Sequence, residues 1–206
     1  MFSYITQNNN GGFSNIDNPG IDGRSEWLFA TPTFREFDYA IVRYKWDSLS
    51  GTDLDTRTGL INTGTSYDSQ RVGFCYDSII YNQLATAYYI EWGGDNTSDT
   101  GPEACLIDFS VISTDFPLLS QIEIKLSAVW YGQRFSGDVI LEFETYLGGV
   151  MTPSGLDFIN VGGVLKNSIQ VSGNVVADTT SCIEGDCIQT LIYDVGSKTA
   201  NLSACL

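Results

Sequence analysis

The sequence predicts an all-β protein: an antiparallel β-sandwich with an extended N-terminal arm and a small C-terminal β-hairpin extension. Several segments alternate apolar and polar residues with a period of two, which is the pattern of a strand with one buried face. Gly, Asn, Asp and Ser interrupt these segments at short intervals, and no stretch has the 3.6-residue period of a helix. Short strands separated by turn residues are typical of a sandwich.

Three strands show the alternation most clearly. Their predicted core residues are Ala40, Val42, Tyr44 and Trp46 in the first, Ile122, Ile124, Leu126, Ala128 and Trp130 in the second, and Val139, Leu141, Phe143 and Thr145 in the third. The intervening residues, among them Glu123, Glu142 and Glu144, are predicted to face water. Shorter β-rich runs cover 72–76, 87–92, 104–109, 158–161, 169–172 and 188–193.

Composition divides the chain into three zones. Residues 1–35 are rich in Asn, Gly and Pro with isolated aromatic residues, and we expect an extended arm there. Residues 36–150 hold the regular strands and are predicted to form the sandwich. Residues 151–206 open with a turn-prone stretch at 152–155 and are predicted to form a C-terminal β extension that ends in a hairpin.

The charge balance restricts the class of partner. The 206 residues carry 10 Lys and Arg against 25 Asp and Glu, which gives a net charge of −15. Such a field repels phosphate backbones and attracts cations, so we expect no nucleic-acid partner. No run approaches the roughly 18 apolar residues of a membrane span, and no signal-peptide pattern is visible. We therefore expect synthesis in the cytoplasm without export, and no membrane partner.

The five cysteines are odd in number and have no regular spacing. This usage predicts reduced, buried thiols and not a disulfide framework. Cys182 and Cys187 flank a short loop, which we interpret as a hairpin tip that brings the two thiols together. A metal clip at the same place would need two more ligands, and only Cys205 is spare.

Two short acidic motifs stand at the edges of strand-like runs. Asp53-Leu54-Asp55 places two carboxylates on the same side of an extended segment, with Leu54 turned toward the core. Asp95 and Asn96 follow a Gly-Gly turn, and Glu103 begins the next strand. Oxygen ligands in a chain without histidine favour a hard cation, and calcium accepts six to eight of them. The sequence therefore predicts a calcium (Ca2+) site formed by Asp53, Asp55, Asp95, Asn96 and Glu103. The alternative is that these Asp and Asn residues only form turns.

The order of these motifs resembles the tellurium-resistance TerD-type domain. The resemblance covers about residues 38–150 and includes 53–55, 94–97, Glu103 before 106–109, and 117–124 leading to Trp130. In that family, such motifs bind calcium on a β-sandwich. The resemblance implies a calcium-binding domain. Members of that family carry two or three adjacent carboxylates before the segment that corresponds to 106–109, whereas this chain keeps only Glu103 there.

A chain without histidine has no imidazole base for a Ser-His or Cys-His pair, and no phosphate-binding glycine loop is present, so we expect no enzyme. We predict a non-enzymatic structural or assembly component of a virus or phage particle, whose partners are copies of itself or neighbouring structural proteins. The alternative is a cytoplasmic TerD-type stress-response protein. A third possibility, a calcium-dependent carbohydrate-binding module, would use exposed aromatics such as Tyr76 and Tyr131 to contact a glycan.

Overall fold

The computed structural model describes residues 4–5, 33–47, 53–98, 101–132 and 138–205. The predicted arm over residues 1–35 lies outside this part of the chain, apart from residues 4–5 and 33–35. The strands are β1 (Tyr4–Ile5), β2 (Thr33–Phe34), β3 (Tyr39–Lys45), β4 (Leu54–Leu60), β5 (Ile79–Tyr81), β6 (Tyr88–Trp92), β7 (Glu103–Asp108), β8 (Gln121–Tyr131), β9 (Asp138–Leu147), β10 (Val150–Ser154), β11 (Asp157–Val161), β12 (Val164–Asn174), β13 (Asp178–Thr179), β14 (Asp186–Asp194) and β15 (Thr199–Ser203).

The strands form the predicted sandwich. A seven-stranded sheet has the order β1-β12-β9-β3-β7-β6-β5. A six-stranded sheet has the order β13-β8-β14-β15-β2, with β4 paired to β8. Among the described strands, all pairings are antiparallel except the short β13–β8 contact. Apolar side chains from both sheets meet in one core between them.

The alternation predicted for the three clearest strands is confirmed on the core side, whereas the intervening residues Ile41, Arg43 and Ser127, which were expected to face water, are also buried. Every residue predicted to face the core on β3, β8 and β9 and at Trp46 is buried. Trp130 is fully buried, and its indole N–H donates to the carbonyl of Val175 at 2.9 Å. Of the shorter runs, 72–76 is not a strand, since only Val72 forms a bridge, with Thr58 and Asp77.

Residues 151–206 complete both layers of the sandwich. β12 pairs with β9 along its whole length, and β14 lies between β8 and β15 in the other sheet. The predicted C-terminal hairpin is therefore present as β14–β15, but inside a sheet. The boundary predicted at residue 150 does not coincide with a break in the sandwich.

The β10–β11 pair forms a separate two-stranded sheet, which we call the covering hairpin (residues 150–161). It lies on the outer face of the seven-stranded sheet, where Met151 and Phe158 form a second apolar cluster with Ile41, Ala104 and Leu106. This cover explains why both faces of β3 are buried.

Arg43 anchors the covering hairpin to β3. Its Nε donates to both carboxylate oxygens of Asp157, at 2.9 and 2.8 Å, and its Nη2 donates to the carbonyl of Phe158. Its Nη1 lies 3.3 Å from Glu142 and 2.7 Å from Glu144. The expectation that Glu142 and Glu144 are solvated was wrong. The buried guanidinium of Arg43 lies on their side of the sheet, where it also pairs with Asp157 of the covering hairpin.

The cysteines correct a further expectation. Cys75 is bonded to Cys182 and Cys187 to Cys205, so Cys182 and Cys187 are not partners of each other. Only Cys105 is a buried free thiol. Sequence spacing could not show this, because the pairs join residues 107 and 18 positions apart that only the folded sheets bring together.

In the described part of the chain, two short helical segments were not predicted, a 3₁₀ helix at Ser66–Ser69 and an α-helix. α1 (Phe109–Asp115) directly follows β7, and the Asp108 side chain caps it by accepting from the N–H of Val111. Seven residues are too few to show a helical period in the sequence. Among the described residues, no helix has the length and apolar character needed to cross a bilayer.

Candidate metal site

Three of the predicted ligands converge at one end of the sandwich. One carboxylate oxygen from each of Asp53, Asp55 and Asp95 lies within 4.8 Å of the other two. Asp53 precedes β4 and Asp55 is its second residue, with the buried Leu54 between them as predicted. Asp95 comes from the loop that follows β6. The site therefore joins a strand of one sheet to a loop of the other.

Glu103 lies outside this group of three and links its two halves. It is fully buried at the start of β7, and it accepts hydrogen bonds from the N–H and hydroxyl of Thr56 on β4. Its other oxygen accepts from the N–H of Asn96 at 3.3 Å. Burial is the main cause that raises the pKa of Glu103 to about 8, against the opposing effect of these donors.

Asn96 shapes the loop that carries Asp95. Its amide oxygen accepts from the N–H and hydroxyl of Ser98, and its amide nitrogen donates to the carbonyl of Gly101 at 2.6 Å. These contacts close the turn on itself. The structure thus brings together Asp53, Asp55 and Asp95, and places Asn96 and Glu103 where they hold the loop and the strand in register.

The carboxylate of Asp53 is incompletely paired. Its Oδ1 is shielded from solvent and has no hydrogen-bond partner among the described residues. Burial, followed by the charges of Asp55 and Asp95, raises the pKa of Asp53 to about 6. A shielded anionic oxygen without a donor is costly, and a cation would compensate it.

Arg57 is a charged neighbour that the sequence analysis missed. It is fully buried, and its Nη2 lies 3.5 Å from Asp55 Oδ2. The ring of Tyr76 covers its guanidinium, with a 5.0 Å distance to the ring centroid. Burial raises the pKa of Asp55, whereas the charge of Arg57 opposes that rise. The sequence did contain a signal for this contact, because residues 55 and 57 are two positions apart on a strand and therefore point to the same face.

The donor set fits a calcium ion. Three carboxylates can supply between three and six oxygens, all of the hard type that calcium prefers. Three negative charges and the positive charge of Arg57 leave a formal charge of −2, which one divalent cation would neutralise. The unpartnered oxygen of Asp53 is the observation that an acidic surface patch alone would not provide.

The close approach of Leu156 explains why glycine occupies positions 93 and 94. A Cβ on Gly93 would stand 2.3 Å from the carbonyl oxygen of Leu156, at the tip of the covering hairpin. Gly94 has a φ of +121° and would also meet the Leu156 side chain. These glycines let the hairpin tip lie directly against the turn that presents Asp95.

No protein-family model matches the chain, and no curated protein matches its sequence at a significant level. The resemblance to the TerD-type domain therefore stays a prediction made from the motifs.

Proposed function

We propose that this protein is a non-enzymatic, calcium-binding β-sandwich that serves as a structural component of a larger assembly. The observation that carries the calcium proposal is the convergence of three carboxylates around an oxygen of Asp53 that is shielded and unpartnered. Asp53, Asp55 and Asp95 would hold the ion. Glu103 and Asn96 would keep the two contributing segments together.

The cysteine pairing supports a structural role outside the reducing cytoplasm. Disulfides persist in oxidising settings, which include the surfaces of virions and cells, and are rare in cytosolic proteins. Two disulfides in one sandwich favour a virus or phage particle over the alternative, a cytoplasmic stress-response protein of the TerD type.

One observation favours carbohydrate binding as a second candidate. Tyr131 donates its backbone N–H to the carbonyl of Asp53, and its side chain is 40% exposed. The ring of Phe74 lies 6.0 Å from that of Tyr131, edge to face. An exposed aromatic next to a calcium site could stack on a sugar ring, so a glycan array in the presence and absence of calcium tests this candidate directly.

The calcium proposal is tested by isothermal titration of the full chain. We expect calcium to bind with one ion per chain, and Asp53→Asn to weaken binding strongly because it removes a central ligand. Glu36→Gln is the matched control, since it removes an exposed charge before β3, at the strand end away from Glu103. If calcium gives no heat and no change in melting temperature with the wild type, the proposal is wrong.

The structural role has its own test. Light scattering on the native protein should show a mass well above 22.6 kDa, the mass of one chain. A monomer at every concentration would contradict the structural role and leave the calcium result untouched.

A further inference from the structure

Arg57 is a buried cation whose hydrogen-bonding groups are only partly satisfied by the fold. Leu54 and Leu60 on β4 point into the core, so Arg57 lies on the opposite, outer face of that strand, yet its side chain is fully buried. Its Nη1 donates to the carbonyl of Thr56 at 2.8 Å, whereas its Nε and Nη2 have no hydrogen-bond partner among the described residues. A buried guanidinium in this state depends on a nearby negative charge.

Asp55 supplies that negative charge. Nη2 of Arg57 lies 3.5 Å from Oδ2 of Asp55, and the two side chains are 0% and 3% exposed. One carboxylate oxygen of Asp55 also lies within 4.8 Å of oxygens of Asp53 and Asp95. Asp55 therefore joins the buried guanidinium to the acidic cluster. Arg57 points its unpartnered N–H groups toward the same carboxylate that would bind the cation.

The segment at 73–76 holds the guanidinium in place and keeps water away from it. The ring of Tyr76 covers it, with a 5.0 Å distance to the ring centroid. Gly73 packs so closely on β4 that a Cβ there would overlap the carbonyl of Thr56, and Cys75 is bonded to Cys182. A charge that is fixed and shielded from water acts on its neighbours more strongly than an exposed one.

The effect of Arg57 on a bound ion depends on the charge of that ion. The carboxylates of Asp53, Asp55 and Asp95 carry a formal charge of −3, which would suit a trivalent cation. The repulsion between Arg57 and an ion is proportional to the ion's charge, so a trivalent ion loses half as much again as a divalent one. Between ions of one size, the guanidinium therefore favours the divalent ion.

We propose that Arg57 is a specificity-determining residue that tunes the acidic cluster to a divalent cation and against a trivalent cation of the same size. This inference rests on the calcium site proposed above and adds the basis of its selectivity. Arg57 does not touch the ion; it acts through its charge and through Asp55, whose Oδ2 it faces.

Isothermal titration of the full chain with Ca2+ and with Tb3+ tests the proposal. Terbium(III) has nearly the size of calcium and one more charge, so the ratio of the two dissociation constants reports charge selectivity. In Arg57→Gln, the preference for Tb3+ over Ca2+ should rise by about 3- to 100-fold relative to the wild type. This range follows from Coulomb's law for one additional unit of ionic charge about 6 Å from the guanidinium, at effective dielectric constants of about 80 to 20.

Three further variants separate the charge of Arg57 from its packing. Arg57→Lys keeps the charge and should keep the wild-type ratio. Arg71→Gln is the matched control: it removes the same charge from a guanidinium that is also largely buried but pairs with Glu184 at 2.9 Å, so the ratio should stay within about twofold of the wild type. Tyr76→Ala lets water reach Arg57 and should raise the preference for Tb3+, by less than Arg57→Gln does. Tyr76 is 37% exposed, so its loss leaves the core intact.

The outcomes keep this inference apart from the calcium site. If the wild type binds calcium but Arg57→Gln leaves the ratio unchanged, or weakens both ions by the same factor, Arg57 does not set selectivity and the calcium site stands. A shift of the ratio in Arg57→Lys as large as in Arg57→Gln would also overturn the inference, because lysine keeps the charge. A wild type that binds neither ion refutes the calcium site and this inference with it. If circular dichroism shows Arg57→Gln to be unfolded, the ratio for Tyr76→Ala decides.

Discussion

Replacing Asp95 by Asn should stabilise the metal-free protein and destabilise the calcium-loaded one. In the metal-free protein, the carboxylates of Asp53, Asp55 and Asp95 lie within 4.8 Å of one another without a cation between them. Asparagine is nearly the same size as aspartate, and Asp95 is exposed, so the change removes charge without leaving a cavity. A substitution that stabilises in one condition and destabilises in the other cannot be explained by packing.

The magnitude follows from Coulomb's law. Two unit charges 4.8 Å apart repel by about 1 kcal/mol in water, and Asp95 is close to that limit because it is exposed. Asp95 has two such neighbours, so Asp95→Asn should raise the free energy of unfolding in EDTA by about 1–2 kcal/mol. For a chain of this size, that corresponds to about 2–8 °C in melting temperature.

Calcium should reverse the order of stability, so that the wild type is more stable than Asp95→Asn. At a hundredfold excess over its dissociation constant, the ion stabilises the wild type by about 2.7 kcal/mol, and the variant should gain far less. The assay is a pair of thermal melts, in EDTA and in millimolar calcium, for wild type, Asp95→Asn and the control Glu36→Gln. If Asp95→Asn melts at or below the wild type in EDTA, the assumed repulsion is absent. If calcium raises the melting temperatures of the wild type and of Asp95→Asn by the same amount, Asp95 is not a ligand.

Three further outcomes are expected. Trp130→Ala should cost about 3–5 kcal/mol of unfolding free energy, whereas Glu123→Ala on the other face should stay within roughly 0.5 kcal/mol; equal denaturation midpoints would show that the register of β8 is wrong. Replacing both Cys75 and Cys182 by Ser should destabilise by about 4–5 kcal/mol in denaturant titrations, more than loss of the shorter 18-residue disulfide, because the loop it closes is longer. In EDTA, the free energy of unfolding should fall by up to about 1.4 kcal/mol per pH unit as the pH rises from about 6, the raised pKa of Asp53, to about 8, the raised pKa of Glu103, since only the folded state keeps the Glu103 proton in that window. Glu103→Gln should remove this part of the slope.

Local sequence patterns were sufficient for the strands and for part of the site. The alternation on β8 identified Trp130 as a core residue because side-chain direction in a strand follows directly from residue parity. The same geometry placed Asp53 and Asp55 on one side of Leu54. These inferences needed only neighbours in sequence.

The features that the sequence did not reveal depend on contacts between distant segments. The covering hairpin buries the second face of β3. From its own strand alone, Arg43 is expected to be solvated, because its partner Asp157 lies on the distant hairpin. Cys75 meets Cys182 only because a loop beyond β4 and the segment before β14 meet in the folded chain. Glu103 was predicted as a ligand from its position after the Asp95 loop, but its burial between Thr56 and that loop is a property of both sheets together.

The turn at Gly93 lies between the acidic cluster and the tip of the covering hairpin. One side of this turn presents Asp95 to the acidic cluster, and the other receives Leu156 at the tip of the covering hairpin. A cation that fixes Asp95 would therefore also fix the surface on which the hairpin tip lies. Arg43 and the apolar cluster around Phe158 hold the hairpin independently of this turn. A cation at the acidic cluster would thus be a local support for the tip of the covering hairpin, whereas the Arg43–Asp157 ion pair and the apolar cluster around Phe158 hold the rest of the hairpin in place.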